Sequence, residues 1–292
     1  MKNIFLIILI NTIAIGNTFA ECAYNLDASL EDIKNWQNSR NNTYPNYPRT
    51  FELIPNINQV EQKAIGPITY MTNRPIEQLR TSKKFANFMN QYPAMRVPDY
   101  LPFTDRIVNP AGLIVSEFII DVTNLNIDMG EAQDSYSFSY SLVGSSEQKM
   151  ELQLGIIYAK YNNSQIQENG DYIYISAGSF KSDGKGFVEL KEIQQKNNKI
   201  TPPTDGKVKV GIYINQSSKQ IGYIINGTNY GYLNIHIEKP INSIGYLATI
   251  NQTEKINSLL IGKNIGLQLI TDHSKMQLTY PTGAKDICGN TL

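Results

Sequence analysis

The chain has 292 residues, of which 41% are hydrophobic and 18% charged, so it can bury a core and does not have the composition of a disordered chain. Lys plus Arg and Asp plus Glu each number 26, and the formal net charge is +0. No overall field therefore attracts the chain to DNA, RNA or anionic lipid, and we expect no nucleic-acid partner.

The first 20 residues have the pattern of a secretory signal peptide. Lys2 gives a positive start, an interrupted apolar stretch follows from 4 to 15, and Thr18 and Ala20 place small residues where signal peptidase reads them. The apolar stretch is too short and too interrupted to cross a bilayer comfortably. We predict cleavage after Ala20 and a secreted or periplasmic protein, with no membrane span in the mature chain.

Two cysteines, Cys22 and Cys288, lie at opposite ends of the mature chain. In an oxidising compartment such a pair usually bonds, and we predict a disulfide that ties both termini together. The chain-entropy model assigns a loop of this length about 5 kcal/mol of stabilisation. The alternative is two free or intermolecular thiols. No further Cys or His clusters beside either residue, so we predict no metal site there.

The region from 21 to 110 is predicted to hold two short helices that pack on the domain after it. The first begins near Ser29 and carries Trp36, which is the only tryptophan and is expected to anchor the helix to the core. Residues 41–67 are rich in Asn and Pro, which favours extended or looped backbone. The second helix is predicted over 73–92, where apolar residues recur at helical spacing.

From 111 to 275 the chain consists of runs of strand-forming residues separated by turn residues. In one run Tyr140 and Leu142 alternate with Ser139 and Ser141, as in a strand with a buried and a solvated face. Nine such runs without a helical pattern between them predict a mainly β domain, an antiparallel β-sandwich, followed by a C-terminal tail over 276–292. The nine runs are LIVSEFIIDV (113–122), YSFSYSLV (136–143), MELQLGIIYAKY (150–161), DYIYISAG (171–178), KVKVGIYIN (207–215), KQIGYIIN (219–226), YGYLNIHI (230–237), SIGYLATI (243–250) and IGLQLIT (265–271).

The stretch from 207 to 233, KVKVGIYINQSSKQIGYIINGTNYGYL, is predicted to be a three-stranded meander. The polar residues 215–218 form the first turn. Asn226 and Gly227 form the second, since both tolerate a positive φ. The glycines between the strand residues allow close approach or bulging.

Two resemblances follow from these residues. The order VGIYIN, polar turn, IGYIIN and GTNYG resembles paired strands of concanavalin-like lectin and glucanase jelly rolls, and of SPRY-type sandwiches. This resemblance implies a jelly-roll sandwich and says almost nothing about the ligand. Separately, CAYNLD from Cys22 together with Cys288-Gly289 resembles an uncharacterised family of secreted bacterial proteins. That resemblance implies export and the terminal disulfide, and it supplies no activity.

The carboxylates do not form the pair that a glycosidase needs. Concanavalin-type glycosidases place two carboxylates on one strand face, and the E-x-D-x-x-E pattern is absent here. Glu189 and Glu192 are an odd number of residues apart, so a regular strand would place them on opposite faces. His236 and His273 are interpreted as a strand residue and a turn residue. We therefore predict no catalytic residues, and a glycoside hydrolase or polysaccharide lyase is the second alternative.

A calcium site is a weaker hypothesis. Asp183 precedes Gly184 in a glycine-rich turn and supplies an oxygen ligand, and Asp128 and Glu131 lie in another such segment. Neither segment has EF-hand spacing, and turn aspartates of this kind usually only form turns. No cofactor is predicted.

Tyrosines are the most suggestive feature for binding. The chain has 18 tyrosines against one tryptophan, and a tyrosine offers a flat apolar ring and a hydroxyl, which suits stacking on sugars. The alternative is that most of them fill the core or brace cross-strand pairs. Tyr230 lies between Asn229 and Gly231 at a corner and is expected to be exposed. We predict non-catalytic recognition of a carbohydrate or cell-surface polymer, with a protein-interaction module as the first alternative. The candidate ligand-binding residues are Tyr213, Asn226, Tyr230, Tyr232 and Asp183.

Overall fold

A computed structural model describes residue Tyr24 and the ranges 51–53, 60–62, 68–69, 106–123, 135–147, 149–163, 168–186, 188–253 and 266–292. These residues form β-strands and a 3₁₀ turn at His273–Lys275, with no α-helix among them. The strands are β1 Phe51–Leu53, β2 Val60–Gln62, β3 Ile68–Thr69, β4 Arg106–Ile107, β5 Leu113–Asp121, β6 Ser135–Ser146, β7 Lys149–Asn163, β8 Glu168–Ser182, β9 Val188–Ile200, β10 Lys207–Asn215, β11 Gln220–Ile225, β12 Thr228–His236, β13 Ser243–Thr253, β14 Gly266–Ile270 and β15 Ala284–Lys285.

Two sheets contain most of these strands. Sheet 1 has the order β12-β11-β10-β5-β14, and β15 adds to β5 in parallel. Sheet 2 has the order β3-β13-β6-β7-β8-β9, and β4 adds to β13. Apart from β15, every pairing within the two sheets is antiparallel. The sheets face each other across one core, so the prediction of a mainly β antiparallel sandwich is confirmed.

The nine predicted runs all form strands, and one further long strand escaped prediction. β9 reads VELKEIQQKNNKI, and most of its residues are exposed or half-buried. Its sequence does not alternate between apolar and polar residues, so the usual signal of a half-buried strand is missing. The predicted N-terminal region contributes two short strands to the sandwich, since β3 and β4 both pair with β13, and the tail contributes β15, which pairs with β5.

The core between the sheets is built from alternate residues of the facing strands. Sheet 1 supplies Val208, Val210, Ile212 and Ile214 from β10, each at most 2% exposed. Sheet 2 supplies a matching series from β7, namely Leu152, Leu154, Ile156 and Tyr158. Each fully buried side chain of this kind contributes about 1.5–3 kcal/mol. A hydrogen bond of 2.6 Å between the hydroxyls of Ser116 and Tyr246 links the two sheets inside the core.

The outer face of sheet 1 is covered by the C-terminal tail. A second apolar cluster lies there, and it contains Leu113, Val115, Tyr213, Ile224 and Ala284, with Met276, Leu278 and Tyr280 packed against it. Strands β5 and β10 are therefore buried on both faces, which explains their nearly continuous apolar sequences.

One buried carboxylate fixes the position of the tail. Glu117 on β5 is 0% exposed, and its oxygens accept hydrogen bonds from the backbone N–H of Gln277 at 2.8 Å and of Leu278 at 3.2 Å. The Tyr280 hydroxyl donates a third at 3.1 Å. Tyr280 lies over Gly211, where an added Cβ would come within 2.6 Å of the tyrosine oxygen. Glu117 therefore acts as a latch for the tail.

The two ends of the chain approach the same core. Tyr24 packs edge-on against Tyr246, with ring centroids 5.2 Å apart. Cys288 packs against the same core cluster at the other end of the chain. Cys22, the signal peptide and both predicted helices, including Trp36, lie outside the described residues, so the Cys22–Cys288 bond stays a prediction.

Candidate functional site

Two tyrosine pairs form on the meander of β10, β11 and β12, one on each face of sheet 1. The rings of Tyr213 and Tyr232 meet edge to face, with centroids 5.2 Å apart and planes at 71°. The rings of Tyr223 and Tyr230 stack in parallel, with centroids 5.1 Å apart and planes at 5°. Tyr230 is 44% exposed and Tyr232 is 43% exposed. We call these four residues the tyrosine cluster.

A glycine allows the first pair to form. Tyr213, Gly222 and Tyr232 occupy one row across the three strands, because Gly222 is the register partner of both tyrosines. A Cβ on Gly222 would lie 2.1 Å from the Cζ atom of Tyr213. The Tyr213 ring therefore lies across β11 and reaches Tyr232 only because residue 222 has no side chain.

A bulge in β12 turns the other exposed tyrosine to the opposite face. The register shifts between the Gly222–Tyr232 and Ile224–Asn229 pairs, and Gly231 in this segment has a φ of +76°. Tyr232 consequently contacts Tyr213 on the outer face of sheet 1. Tyr230 instead stacks on Tyr223, which belongs to the core between the sheets.

Asparagine amides hold three of the four rings. The Tyr213 hydroxyl donates to Asn229 Oδ1 at 2.9 Å, and the same oxygen accepts the Gly231 N–H at 2.8 Å. Asn215 Nδ2 donates to the Tyr232 hydroxyl at 3.3 Å. A third amide comes from sheet 2, where Asn198 Oδ1 accepts the Tyr223 hydroxyl at 3.2 Å.

Burial raises the pKa of the two buried tyrosines of the cluster, Tyr213 and Tyr223. The hydrogen bonds to Asn229 and Asn198 act in the opposite direction, and burial outweighs them. Both hydroxyls therefore stay protonated throughout the physiological pH range and keep donating to their amides. The cluster is a neutral set of rings, hydroxyls and amides.

The structure gives Asn226 a role within the fold. Asn226 and Gly227 have φ values of 48° and 86°, which confirms the predicted tight turn between β11 and β12. The Asn226 side-chain oxygen accepts the Lys209 N–H at 2.9 Å, while its own N–H donates to the Lys209 carbonyl at 2.9 Å. Its side chain thus extends the pairing of β10.

Asp183 lies far from the tyrosine cluster. It occupies the turn between β8 and β9, where its Oδ1 accepts the Lys185 N–H at 2.7 Å. Asn198, which touches the cluster, lies ten residues beyond Val188, the first residue of β9. At the usual rise of a strand, these two residues are about 30 Å apart. Of the predicted residues, Tyr213 and Tyr232 are in contact. Tyr230 lies nearby on β12 but on the opposite face, and Asp183 is remote from all three.

Sequence reasoning missed the supporting residues. Asn198 belongs to β9, the strand that had no recognisable pattern, so nothing connected it to Tyr223. Gly222 carries a readable signal, because a glycine opposite a tyrosine in a meander predicts that the tyrosine ring lies across the neighbouring strand. The register needed for that inference is set by the turns.

The carboxylates of β9 differ from the prediction. Glu189 pairs with Lys181 and Glu192 pairs with Ser179, and a bulge between these pairs inserts an extra residue into β9. The two glutamates therefore share a face, because the strand is not regular. Glu189 forms an ion pair with Lys181 Nζ at 2.9 Å, and Glu192 accepts the His236 N–H at 3.1 Å.

The described residues contain no group of three or more His, Cys, Asp or Glu side chains arranged to hold a metal ion. Asp128 and Glu131 lie outside them. No helix in this described part is long and apolar enough to cross a membrane.

Comparisons with solved structures give partial overlaps with carbohydrate-related proteins. A Bacteroides ovatus mixed-linkage glucan GH16 protein in complex with a G4G4G3G product is 7% identical, covering 53% of this chain and 68% of that one, at a TM-score of 0.34. A tetrameric galectin from the ball sponge Cinachyrella is 10% identical, covering 57% and 94%, at 0.28. Porphyranase B from Zobellia galactanivorans is 10% identical, covering 57% and 65%, at 0.31. With scores this low, the sandwich assignment rests on the strand pairing described above.

The sequence itself matches one family over almost its whole length. No curated protein matches it. Residues 8–290 match the model of a domain of unknown function, DUF4882. The chain therefore belongs to the DUF4882 family.

Proposed function

We propose that this protein is a non-catalytic recognition protein that binds glycan at the tyrosine cluster. The observation that carries the proposal is the pair of half-exposed rings, Tyr230 and Tyr232, each held in place by another tyrosine. Sugar rings present C–H faces that stack on aromatic rings and hydroxyls that bond to amides. The cluster offers both kinds of group at one segment of β12.

The rigidity of the cluster supports this proposal. A surface held in its binding conformation loses little side-chain entropy when the ligand arrives. Tyr223 covers one face of the Tyr230 ring, and Asn215 fixes the Tyr232 hydroxyl. Both rings are therefore positioned before a ligand binds.

The chemistry of the cluster favours a neutral glycan. In the described part of the chain, the side chains hydrogen-bonded to these tyrosines are all asparagine amides, namely Asn198, Asn215 and Asn229. Amides donate to and accept from sugar hydroxyls without the desolvation cost of a charge. An acidic polysaccharide would call for Lys or Arg at the rings.

Export is part of the same proposal. The predicted signal peptide and cleavage after Ala20 would place the cluster in the periplasm or outside the cell, where polymeric glycans are found. Mass spectrometry of the protein recovered from the periplasmic and culture fractions tests this step. A mature chain that begins at residue 21 in either fraction supports it, and recovery of the intact chain from the cytoplasm contradicts it.

Binding of the mature chain to soluble neutral polysaccharides, measured by isothermal titration calorimetry, tests the site. We expect Tyr230→Ala and Tyr232→Ala each to weaken binding at least tenfold, or about 1.4 kcal/mol. Ile107→Ala is the matched control, because Ile107 is 73% exposed and lies on β4 of sheet 2. Binding that survives Tyr230→Ala and Tyr232→Ala unchanged discards the site, and no binding to any glycan discards the function.

Release of reducing sugar by the wild-type chain would instead favour the hydrolase alternative. A lyase would be recognised by unsaturated products. The protein-interaction alternative is favoured by a separate observation, the exposed apolar residues Leu190 and Ile193 on β9.

A further inference from the structure

In the described part of the chain, β9 is an edge strand with one backbone side unpaired. It is the last strand of sheet 2 and, among the described residues, it pairs with β8 alone. An edge strand presents a row of unpaired N–H and C=O groups that can pair with another chain. Two apolar side chains of β9, Leu190 and Ile193, are 51% and 66% exposed.

The edge strand of sheet 1 on the same side is protected, and β9 supplies the protection. Gln194 Oε1 accepts the Asn234 N–H of β12 at 2.5 Å, and Glu192 Oε2 accepts the His236 N–H at 3.1 Å. Lys191 adds an ion pair of 3.5 Å with Glu238. These side chains occupy backbone donors that an added strand would need on β12.

The charges of β9 are complementary to a second, antiparallel copy of β9. Pairing about a two-fold axis at Gln194 places Glu192 of each copy opposite Lys196 of the other. Both residues lie on the same face, because they pair with Ser179 and Ile175, which are separated by four positions on β8. Lys196 is exposed and has no ion-pair partner among the described residues. A parallel copy in register would instead place like charges opposite each other.

The same pairing brings apolar surface together on the other face. Ile193 would lie opposite Gln195 of the second copy and diagonal to the second Ile193, within the reach of long side chains. The strand from Glu192 to Ile200 pairs with β8 without a register shift, so it is straight enough to continue the sheet.

We propose that β9 pairs antiparallel with β9 of a second copy, about a two-fold axis at Gln194, so that sheet 2 continues across a homodimer. The occupant of the edge is thus another molecule of the same chain. The proposal does not depend on glycan binding, and it predicts that the tyrosine-cluster variants remain dimeric.

Charge reversal tests the pairing, with sedimentation velocity as the readout. The wild-type mature chain is expected to sediment as a dimer at tens-of-micromolar concentration. Lys196→Glu and Glu192→Lys each place like charges opposite each other, and we expect each to raise the dimer dissociation constant at least tenfold. An equimolar mixture of the two variants restores both unlike pairs, so it is expected to sediment as a heterodimer. Lys185→Glu, in the turn before β9, is the control and stays dimeric.

Circular dichroism melting of each variant shows whether it is folded, which matters for Glu192→Lys because Glu192 also accepts the His236 N–H.

A second test, by cysteine cross-linking, leaves Glu192 unchanged. Gln194→Cys places two thiols opposite each other at the axis, with Cα atoms about 4.5–5.5 Å apart, which a disulfide can span. Gln195→Cys is opposite Ile193 and is the matched control. A monomeric wild type, a mixture that stays monomeric, or equal cross-linking of both cysteine variants overturns the proposal.

Discussion

Sheet 1 is covered on its two faces by layers of different chemistry. Its inner face meets sheet 2 through a continuous apolar core that includes Leu152 and Val210, both 0% exposed. Its outer face meets a short tail, where a small apolar cluster surrounds the carboxylate of Glu117. The inner layer contributes area, and the outer layer adds directed hydrogen bonds.

The difference shows how each layer is specified. Apolar burial is non-directional and roughly proportional to area, so the inner layer supplies stability without fixing one arrangement. A buried carboxylate costs free energy unless its oxygens are hydrogen-bonded, so the tail must place its two N–H groups and the Tyr280 hydroxyl at Glu117. The polar contact sets the register of the tail more than the stability of the sandwich.

Truncation of a side chain in the inner layer should cause the largest loss of stability. We expect Leu152→Ala to lower the free energy of unfolding by about 3–5 kcal/mol, because it leaves a cavity between two sheets that cannot collapse onto it. Urea denaturation measures this loss. Leu190→Ala is the matched control, since Leu190 is 51% exposed, and it should change stability by less than about 0.5 kcal/mol. Equal losses for both variants would contradict the assignment of the core.

The outer layer should respond locally. We expect Glu117→Ala to cost about 2–3 kcal/mol, because three donors lose their acceptor. Hydrogen exchange should then quicken at Gln277 and Leu278, while the amides of β7 keep their protection. Glu117→Gln retains one acceptor oxygen, so its stability should lie between that of Glu117→Ala and that of the wild type. Unchanged exchange in the tail would show that Glu117 does not hold it.

The position of the Tyr213 ring, which belongs to both the outer layer and the tyrosine cluster, depends on Gly222. We expect Gly222→Ala to cost about 2 kcal/mol, because its Cβ would meet the Tyr213 ring at 2.1 Å and push it from Tyr232. Gly155→Ala on β7 is the matched control, since an added Cβ there would lie 3.8 Å from its nearest neighbour, the Ser176 carbonyl oxygen. Thermal unfolding compares the two, and glycan titration of the folded variant shows whether the displaced ring weakens binding.

Much of this architecture could be predicted from the sequence because most strands alternate or are continuously apolar. β9 could not, because its inward positions are Glu192, Gln194, Lys196 and Asn198, which face the edge of β12 and its neighbours and not the middle of the core. Glu192 and Gln194 accept hydrogen bonds from the backbone of β12, and Asn198 accepts one from Tyr223. A period-two apolar pattern reports only burial against apolar partners.

The candidate site was predicted in part for a related reason. A corner sequence such as NGTNYG indicates that Tyr230 is exposed, and local residues are enough for that inference. Which face each tyrosine occupies depends on the bulge at Gly231 and on the register of three strands. Glu117 left a weaker signal, as a lone carboxylate within the mostly apolar run LIVSEFII. The tail that satisfies it comes 160 residues later.

The smallest expected effect concerns the third hydrogen bond of the latch. Tyr280→Phe removes only the hydroxyl that donates to Glu117, and we expect a loss of about 1 kcal/mol near neutral pH. Burial raises the pKa of Tyr280, and the neighbouring Glu117 carboxylate raises it further. The folded state therefore disfavours the ionised phenol, so the contribution of Tyr280 is complete below the unfolded pKa of about 10 and is lost as the pH rises above it.

Denaturation curves between neutral and strongly alkaline pH measure this dependence. The wild type should lose stability above about pH 10, and Tyr280→Phe should lose less over the same interval. Burial also raises the pKa of Tyr213 and Tyr223, so part of the alkaline loss remains in the variant. Tyr232→Phe is the control, because it also removes one phenol hydroxyl but Tyr232 is 43% exposed and lies outside the contact with Glu117. If Tyr280→Phe and Tyr232→Phe give the same curve, the tail does not hold Tyr280 against Glu117 in solution.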